Sequence, residues 1–194
     1  MSRIGRFSIF IVVFSLLFSG CSRSKLERQV IQLQSLPIDL CLDSMYRYNF
    51  LQISDSIATV VDSVSSSKVL SMVVYSDETV CSSCAVKGMY IWNDLIDTTE
   101  CKYGNQLPFY FIFTPEKEQI VDLKIALKRS GFNYPVYIDT LGVFKRRNNH
   151  IPDNKLLHTF LLDGNRNVVL VGSPLYNNAI MQMFYQIADT CLIR

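Results

Sequence analysis

The feature that most restricts the fold is a pair of cysteines, Cys81 and Cys84, between a buried strand and a helix. The run from Val69 to Tyr75 is short and continuously apolar, which is typical of a strand with both faces covered. Residues 85–96 then place apolar side chains at helical spacing. A cysteine at the start of such a helix has its thiolate stabilised by free N–H groups and by the helix dipole. The pattern therefore predicts that Cys81 attacks a disulfide and that Cys84 resolves the mixed disulfide.

The same two cysteines allow two other interpretations. One Cys-x-x-Cys can be half of a zinc site, although the sequence has no second Cys-x-x-Cys and no His-x-x-x-His pair to complete it. The pair can also form an inert structural disulfide, which would leave a non-catalytic binding module. The leading hypothesis, thiol–disulfide exchange, needs no cofactor and no metal.

Residues 1–20 are predicted to be a signal peptide. Arg3 and Arg6 precede an apolar run from Phe7 to Phe18, which has the length of a signal-peptide core and is too short to span a membrane as a helix. The run ends in Phe18-Ser19-Gly20-Cys21, which resembles the bacterial lipobox. The resemblance implies that Cys21 carries diacylglycerol after cleavage. An ordinary secretory peptide followed by a chance cysteine is the alternative.

A lipidated Cys21 would anchor the protein in the bacterial cell envelope, with the domain facing the periplasm. Residues 21–35 would then be the lipidated tether and a short amphipathic helix over Leu26–Gln34, and residues 36–194 the folded domain. This compartment is oxidising, so cysteine pairs persist there. The expected partners are envelope proteins or small thiols that exchange disulfides, together with the membrane that holds the anchor.

Charge argues against nucleic acid as a partner. The chain has 19 Lys and Arg residues against 17 Asp and Glu residues. Because the two arginines of the predicted signal peptide would be removed, the mature chain would be formally neutral. No basic stripe stands out along the sequence, so we expect no nucleic-acid binding.

Strands and helices alternate through the rest of the chain. The predicted elements are strands at Ile38–Leu42, near Ala58–Val61, at Leu107–Phe113 and at Pro135–Ile138, a helix from Thr114-Pro115 to Gly131, a hairpin of Thr159–Asp163 with Val168–Val171, and a closing helix at Asn177–Ala188. Alternating strands and helices imply parallel pairing, and the hairpin adds an antiparallel edge. The sequence therefore predicts a three-layer α/β fold with a central mixed β-sheet flanked by helices.

Several of these segments resemble the thioredoxin superfamily, in particular the membrane-tethered TlpA/ResA-like thiol–disulfide oxidoreductases. The matching residues are the strand Val69–Val74, Cys81-Ser82-Ser83-Cys84, and Thr159–Asp163 followed by the turn at Gly164. The resemblance covers about the last two-thirds of the chain. It implies a thioredoxin-like fold and disulfide exchange with other envelope proteins.

The sequence departs from this family at the position of its cis-proline. Aligning Thr159-Phe160 with the family puts Leu157 in that position, although a gap would align Pro152 instead. In the family this proline faces the cysteine pair and helps substrate chains to dock in an extended form. Because a cis bond to a residue other than proline costs several kcal/mol, we predict a trans peptide at Leu157.

His158 follows Leu157 and opens the predicted strand beside the cysteine motif. It could stabilise the Cys81 thiolate. With Cys81 and Cys84 it could also bind copper or zinc, as in metal-delivery proteins of this superfamily. The alternative is a polar residue at the end of a strand with no chemical role.

Three cysteines and one histidine remain outside these patterns. Cys41, Cys101 and Cys191 allow one disulfide and one free thiol, and the sequence does not choose among the pairings. His150 follows the basic run 145–149 and is expected to be solvated.

Overall fold

The computed structural model describes residues 25–49, 56–57, 70–77 and 86–193. The predicted signal peptide, Cys21, the strand near Ala58–Val61, and both Cys81 and Cys84 lie outside the described residues.

The described residues form seven strands and five α-helices. From residue 71 onward the order is the one that the sequence alternation predicts, with one additional short helix at Val143–Arg147. The strands are β1 (Tyr46–Tyr48), β2 (Ser56–Ile57), β3 (Ser71–Ser76), β4 (Phe109–Phe113), β5 (Val136–Ile138), β6 (Thr159–Leu162) and β7 (Val168–Val171). The helices are α1 (residues 25–33), α2 (Ile91–Tyr103), α3 (Ile120–Arg129), α4 (Val143–Arg147) and α5 (Asn178–Leu192). Short 3-10 turns lie at Leu42–Ser44, Gly104–Gln106, Lys117–Gln119 and Lys155–Leu157.

All seven strands belong to one mixed sheet in the order β2-β1-β5-β4-β3-β6-β7. β3 pairs in parallel with β4, and β4 in parallel with β5. The β6–β7 hairpin lies antiparallel to β3 on its other side, and β1 pairs antiparallel with β5. The strand that precedes the cysteine motif is therefore an inner strand, as its continuous apolar sequence predicts.

The sheet has a hydrophobic core on each face. Alternate side chains of β3 divide between the two cores, with Met72 on the face covered by α2, α3 and α5, and with Val73 and Tyr75 on the face covered by α1 and α4. The predicted three-layer α/β architecture is confirmed.

The predicted helix over residues 85–96 is not continuous. Val86 is helical, Gly88 has a positive φ of 85°, and α2 begins only at Ile91. Glycine adopts this left-handed conformation without steric cost, so the chain leaves the helical conformation at Gly88 before α2 starts. The helical spacing of the apolar residues nevertheless identified the buried side chains, because Val86, Met89 and Trp92 share one core.

Two other predicted boundaries are also wrong. Thr114 does not cap a helix, because the chain stays extended at Glu116 and the first α-helical residue is Ile120. The predicted strand Ile38–Leu42 is irregular and leads into a 3-10 turn, with Cys41 in the left-handed region at φ 39°.

The buried side chain of Asn148 explains the missing strand. Its amide oxygen accepts from the Asp39 N–H at 2.8 Å, and its amide nitrogen donates to the Asp39 carbonyl at 2.8 Å and to the Phe144 carbonyl at 2.8 Å. One side chain thus takes the place of a neighbouring strand.

We predict that Asn148→Ala lowers the free energy of unfolding by about 2 kcal/mol, because it removes three hydrogen bonds of a fully buried side chain, two of them to the part-buried backbone of Asp39. Urea denaturation monitored by circular dichroism would measure the change. Asn149→Ala, at the exposed neighbouring position, is the matched control and should change the free energy little. An equal effect of the two substitutions would contradict this role of Asn148.

Candidate functional site

Asp77 and Val86 flank the cysteine segment in sequence, and the turn before β6 lies at the end of β3. β3 ends at Ser76, Asp77 follows it, and the described chain resumes at Val86, which is buried in the core beneath α2. Residues 78–85, with Cys81 and Cys84, connect these two points.

The predicted neighbours Leu157 and His158 lie at the carboxyl end of β3. Val74 pairs with Thr159, and the Tyr75 N–H donates to the His158 carbonyl at 2.8 Å. On the other side of β3, the Thr114 N–H donates to the Ser76 carbonyl at 2.8 Å. The residues that precede β6 therefore face the point at which the cysteine segment leaves the sheet.

Leu157 ends a 3-10 turn and has only 4% of its surface exposed. The Asn154 side chain caps this turn by accepting from the Leu156 N–H, and the Leu157 N–H donates to the Asn154 carbonyl at 2.9 Å. No peptide bond among the described residues is cis. The predicted trans peptide at Leu157 is confirmed.

His158 is buried, with 3% of its surface exposed. Its Nε2 lies 2.8 Å from the Pro152 carbonyl, and a carbonyl can only accept, so Nε2 carries the proton. The ring also packs on Tyr75, with centroids 5.0 Å apart. His158 is thus a buried polar residue that precedes β6, with its ring held inside the domain.

The pKa of His158 is lowered from its ordinary value. The main cause is burial, which disfavours the imidazolium. The bond to the Pro152 carbonyl and the charge of Asp77 oppose the shift, whereas Lys145 and Lys155 add to it. His158 is therefore neutral at pH 7.

Charges of both signs lie near this end of β3. Asp77 is nearly buried, and its Oδ1 is 3.9 Å from the Lys155 ammonium. Lys145 donates to the Ile151 carbonyl at 2.7 Å and pairs with Asp153 at 2.8 Å. The ammonium of Lys155 thus offsets the negative charge of Asp77, which on its own would oppose a thiolate.

An apolar groove of about 760 Å³ begins beside this turn. Leu157 contributes to its floor, and the exposed Leu156 and Tyr176 contribute to its lining together with Val30 of α1 and Val171 of β7. The groove has the size and apolar character of a site for a chain or a small molecule.

Metal binding gains no support from these residues. Among the described residues, no three His, Cys, Asp or Glu side chains come together as a metal site. Nε2 of His158 is already bound to the Pro152 carbonyl, which leaves only Nδ1 as a ligand atom.

The three remaining described cysteines form no disulfide. Cys41 is buried, and burial together with the charge of Asp39 raises the pKa of its thiol to about 11. Cys101 and Cys191 are exposed on α2 and α5. The one bridge that the sequence allowed among these three residues is absent.

His150 is the clearest residue that sequence reasoning misjudged. It is buried rather than solvated, and burial lowers its pKa. The basic run before it is largely α4, in which Lys145, Arg146 and Arg147 bind Asp153, the Leu141 carbonyl and Asp39 respectively. These cations are paired within the domain.

In the part of the chain that the structure describes, no helix is long and apolar enough to cross a membrane.

The order of the strands identifies the fold. β3, α2 and β4 form a parallel βαβ unit, the β6–β7 hairpin adds to the other side of β3, and α5 closes the chain. The Cys-x-x-Cys follows the central strand of this arrangement. The fold is thioredoxin-like.

Comparison with solved structures finds weak similarities. A candidate protein disulfide isomerase from Bacteroides thetaiotaomicron is 15% identical, with a TM-score of 0.48 over 82% of this chain and 94% of that chain. A thioredoxin-like protein from Porphyromonas gingivalis is 13% identical, with a TM-score of 0.45 over 79% and 94%. A domain of a candidate thiol–disulfide isomerase from Cytophaga hutchinsonii is 14% identical, with a TM-score of 0.45 over 78% and 97%. Because these TM-scores are low, the strand order and not these similarities establishes the fold.

The sequence matches no protein-family model and no curated protein.

We predict that burial of neutral His158 makes the domain less stable in acid. Its folded pKa lies below the unfolded value of about 6.5, so the stability is present above that value and is lost as pH falls through the folded pKa. The urea midpoint of the wild type should decrease as the pH is lowered from about 7 to about 5, and the midpoint of His158→Gln should decrease less. The pH dependence of stability that remains in His158→Gln is assigned to His150, whose pKa is also lowered. Equal slopes in wild type and variant would refute the prediction.

Proposed function

We propose that this protein is a thiol–disulfide oxidoreductase, with Cys81 as the attacking residue and Cys84 as the resolving residue. The observation that carries the proposal is the position of the Leu157–His158 turn against the carboxyl end of β3. Cys81 follows Asp77 by four residues, which span at most about 14 Å of extended chain. The cysteine pair is thus within reach of the turn that holds the cis-proline in the thioredoxin family.

The proposed reaction is a two-electron exchange. The Cys81 thiolate attacks one sulfur of a substrate disulfide, so that a Cys81–substrate bond forms and the substrate bond breaks. The Cys84 thiolate then attacks Cys81 and releases the second substrate thiolate. Solvent protonates the released thiolates. The substrate is reduced and the cysteine pair is oxidised, and the reverse sequence oxidises a dithiol.

The groove beside Leu157 favours protein substrates over small thiols. Its lining is mainly apolar, and Lys155 is its one charged contribution among the described residues. An extended apolar segment next to a cysteine could bury surface there, whereas a small hydrophilic thiol could not. Envelope proteins are therefore the proposed partners.

The proposed location is the bacterial cell envelope, with a lipid anchor on Cys21. The support for this location is the sequence of residues 1–21 alone, in which basic residues, a short apolar run and small residues precede the cysteine. Two or three acyl chains give firm membrane attachment.

Cysteine substitutions test the reaction. We expect Cys81→Ser to lower dithiol-dependent reduction of a disulfide-bonded peptide by more than about a hundredfold, because the nucleophile is lost. Cys84→Ser should accumulate a mixed disulfide at Cys81, visible by mass spectrometry. Cys101→Ser removes an exposed thiol on α2 and serves as the control. Full activity in both motif variants would refute the proposal that Cys81 and Cys84 carry the reaction.

A substitution at Cys21 tests the anchor. Expressed with its own N-terminal segment in a bacterium, the wild-type protein should sediment with membranes and carry an acylated N-terminus. Cys21→Ser should move it to the soluble fraction, because the acyl chains supply the membrane affinity. Membrane fractionation and mass spectrometry of the N-terminal peptide measure this. Membrane retention of Cys21→Ser without acylation would rule the anchor out.

A further inference from the structure

The turn that precedes β6 has to be held in place without the family's proline. Because this position holds Leu157, no proline ring fixes the φ of the turn. Hydrogen bonds and the burial of Leu157 therefore determine where Leu156 and Leu157 lie relative to β3.

His158 makes two of these bonds, one as an acceptor through its carbonyl and one as a donor through its ring. Its carbonyl accepts from the Tyr75 N–H at 2.8 Å, which joins the turn to β3. Its ring donates to the Pro152 carbonyl at 2.8 Å, which joins the end of the turn to its beginning. The ring of His158 thus joins the two ends of the segment 152–158, and the backbone of the same residue attaches this segment to β3.

The surroundings of the ring leave it little freedom. It packs on Tyr75, which in turn packs on Phe144 of α4 with centroids 4.9 Å apart. Asn154 restrains the other side of the turn, because its amide nitrogen donates to the Gln29 side chain of α1 at 3.0 Å. The charged groups that act on the ring are Asp77, Lys145 and Lys155.

We infer that His158 is a positioning residue for the proposed disulfide exchange. It holds the Leu156–Leu157 turn in the position at which, under the proposed function, a substrate chain docks, a task that the cis-proline has in the thioredoxin family. The inference rests on the proposed function for its substrate, and on the hydrogen bonds of His158 for its geometry. His158 itself does not take part in the transfer of electrons.

Two substitutions at His158 test the aromatic ring and its N–H donor separately. His158→Phe keeps a ring on Tyr75 and removes the N–H, whereas His158→Gln keeps an N–H donor and removes the ring. With a disulfide-bonded peptide as substrate, we expect His158→Phe to raise KM about tenfold and His158→Gln to stay within about threefold of the wild type. With a small aromatic disulfide, which does not need the turn, both variants should retain the wild-type kcat/KM.

The chain's other histidine provides the matched control. His150 is also buried on the α1 side of the sheet, where its backbone neighbour is Leu36, and His150→Phe should leave KM for the peptide unchanged. Urea denaturation of each variant fixes a temperature at which all of them are folded. An unchanged KM in His158→Phe, or an equal loss with both substrates, would overturn the inference.

Amide hydrogen exchange distinguishes a failure of the inference from a failure of the proposed function. If the wild-type protein exchanges no disulfides, the proposed function is wrong, and the turn can still be examined. The N–H groups of Tyr75 and Leu157 should then exchange faster in His158→Phe than in His158→Gln. Equal protection in the two variants would show that the hydrogen bond from the His158 side chain to the Pro152 carbonyl does not hold the turn.

Discussion

The pairing of β3 with β6 is the constraint on which the candidate site depends. β3 is covered on both faces, so each of its backbone N–H and C=O groups needs a partner within the sheet. β4 supplies these partners on one side and β6 on the other. Because β6 runs antiparallel to β3, the residues that precede it lie at the carboxyl end of β3. The cysteine segment leaves β3 from that same end, so the ladder brings together two segments that are distant in sequence.

A second set of contacts ties this end of β3 to the end of β5. The fully buried carboxylate of Asp139 follows β5 and accepts from the Phe144 N–H at 2.8 Å, at the start of α4. Phe144 packs on Tyr75, and Tyr75 packs on His158. The position of the turn before β6 is therefore coupled to the start of α4 through three aromatic rings. A change at α4 can move the turn even though α4 lies away from the cysteine motif in sequence.

The sequence predicted the strands well where a continuous apolar run met a buried position, as in β3, β4 and β6. It also placed Leu157 and His158 beside β3, because the hairpin that follows them is recognisable from its turn at Gly164. Boundaries failed where a distant side chain supplies the hydrogen bonds. Ile38–Leu42 alternates like a strand, but its backbone binds Asn148, which no local pattern indicates.

The contacts of His158 were hidden for the same reason. Its bond to Pro152 spans only six residues, yet a histidine before a strand gives no signal that its ring turns back on the chain. Its burial depends on Tyr75, which comes from the other side of a strand pair. Sequence patterns report the period of a strand or helix, whereas the polar contacts of the site depend on tertiary packing.

Consecutive residues of the turn before β6 have different roles. Leu157 is buried and anchors the turn in the core, whereas Leu156, with 76% of its surface exposed, faces the groove and the solvent. The polar groups that shape the turn, from Asn154 and His158, bind backbone atoms and the Gln29 side chain within the domain. Among the described residues of this turn, the exposed groups are consequently the Leu156 side chain and the ammonium of Lys155. Under the proposed function, such a surface would bind a partner by apolar contact and main-chain geometry, which suits a site that accepts more than one side-chain sequence around a cysteine.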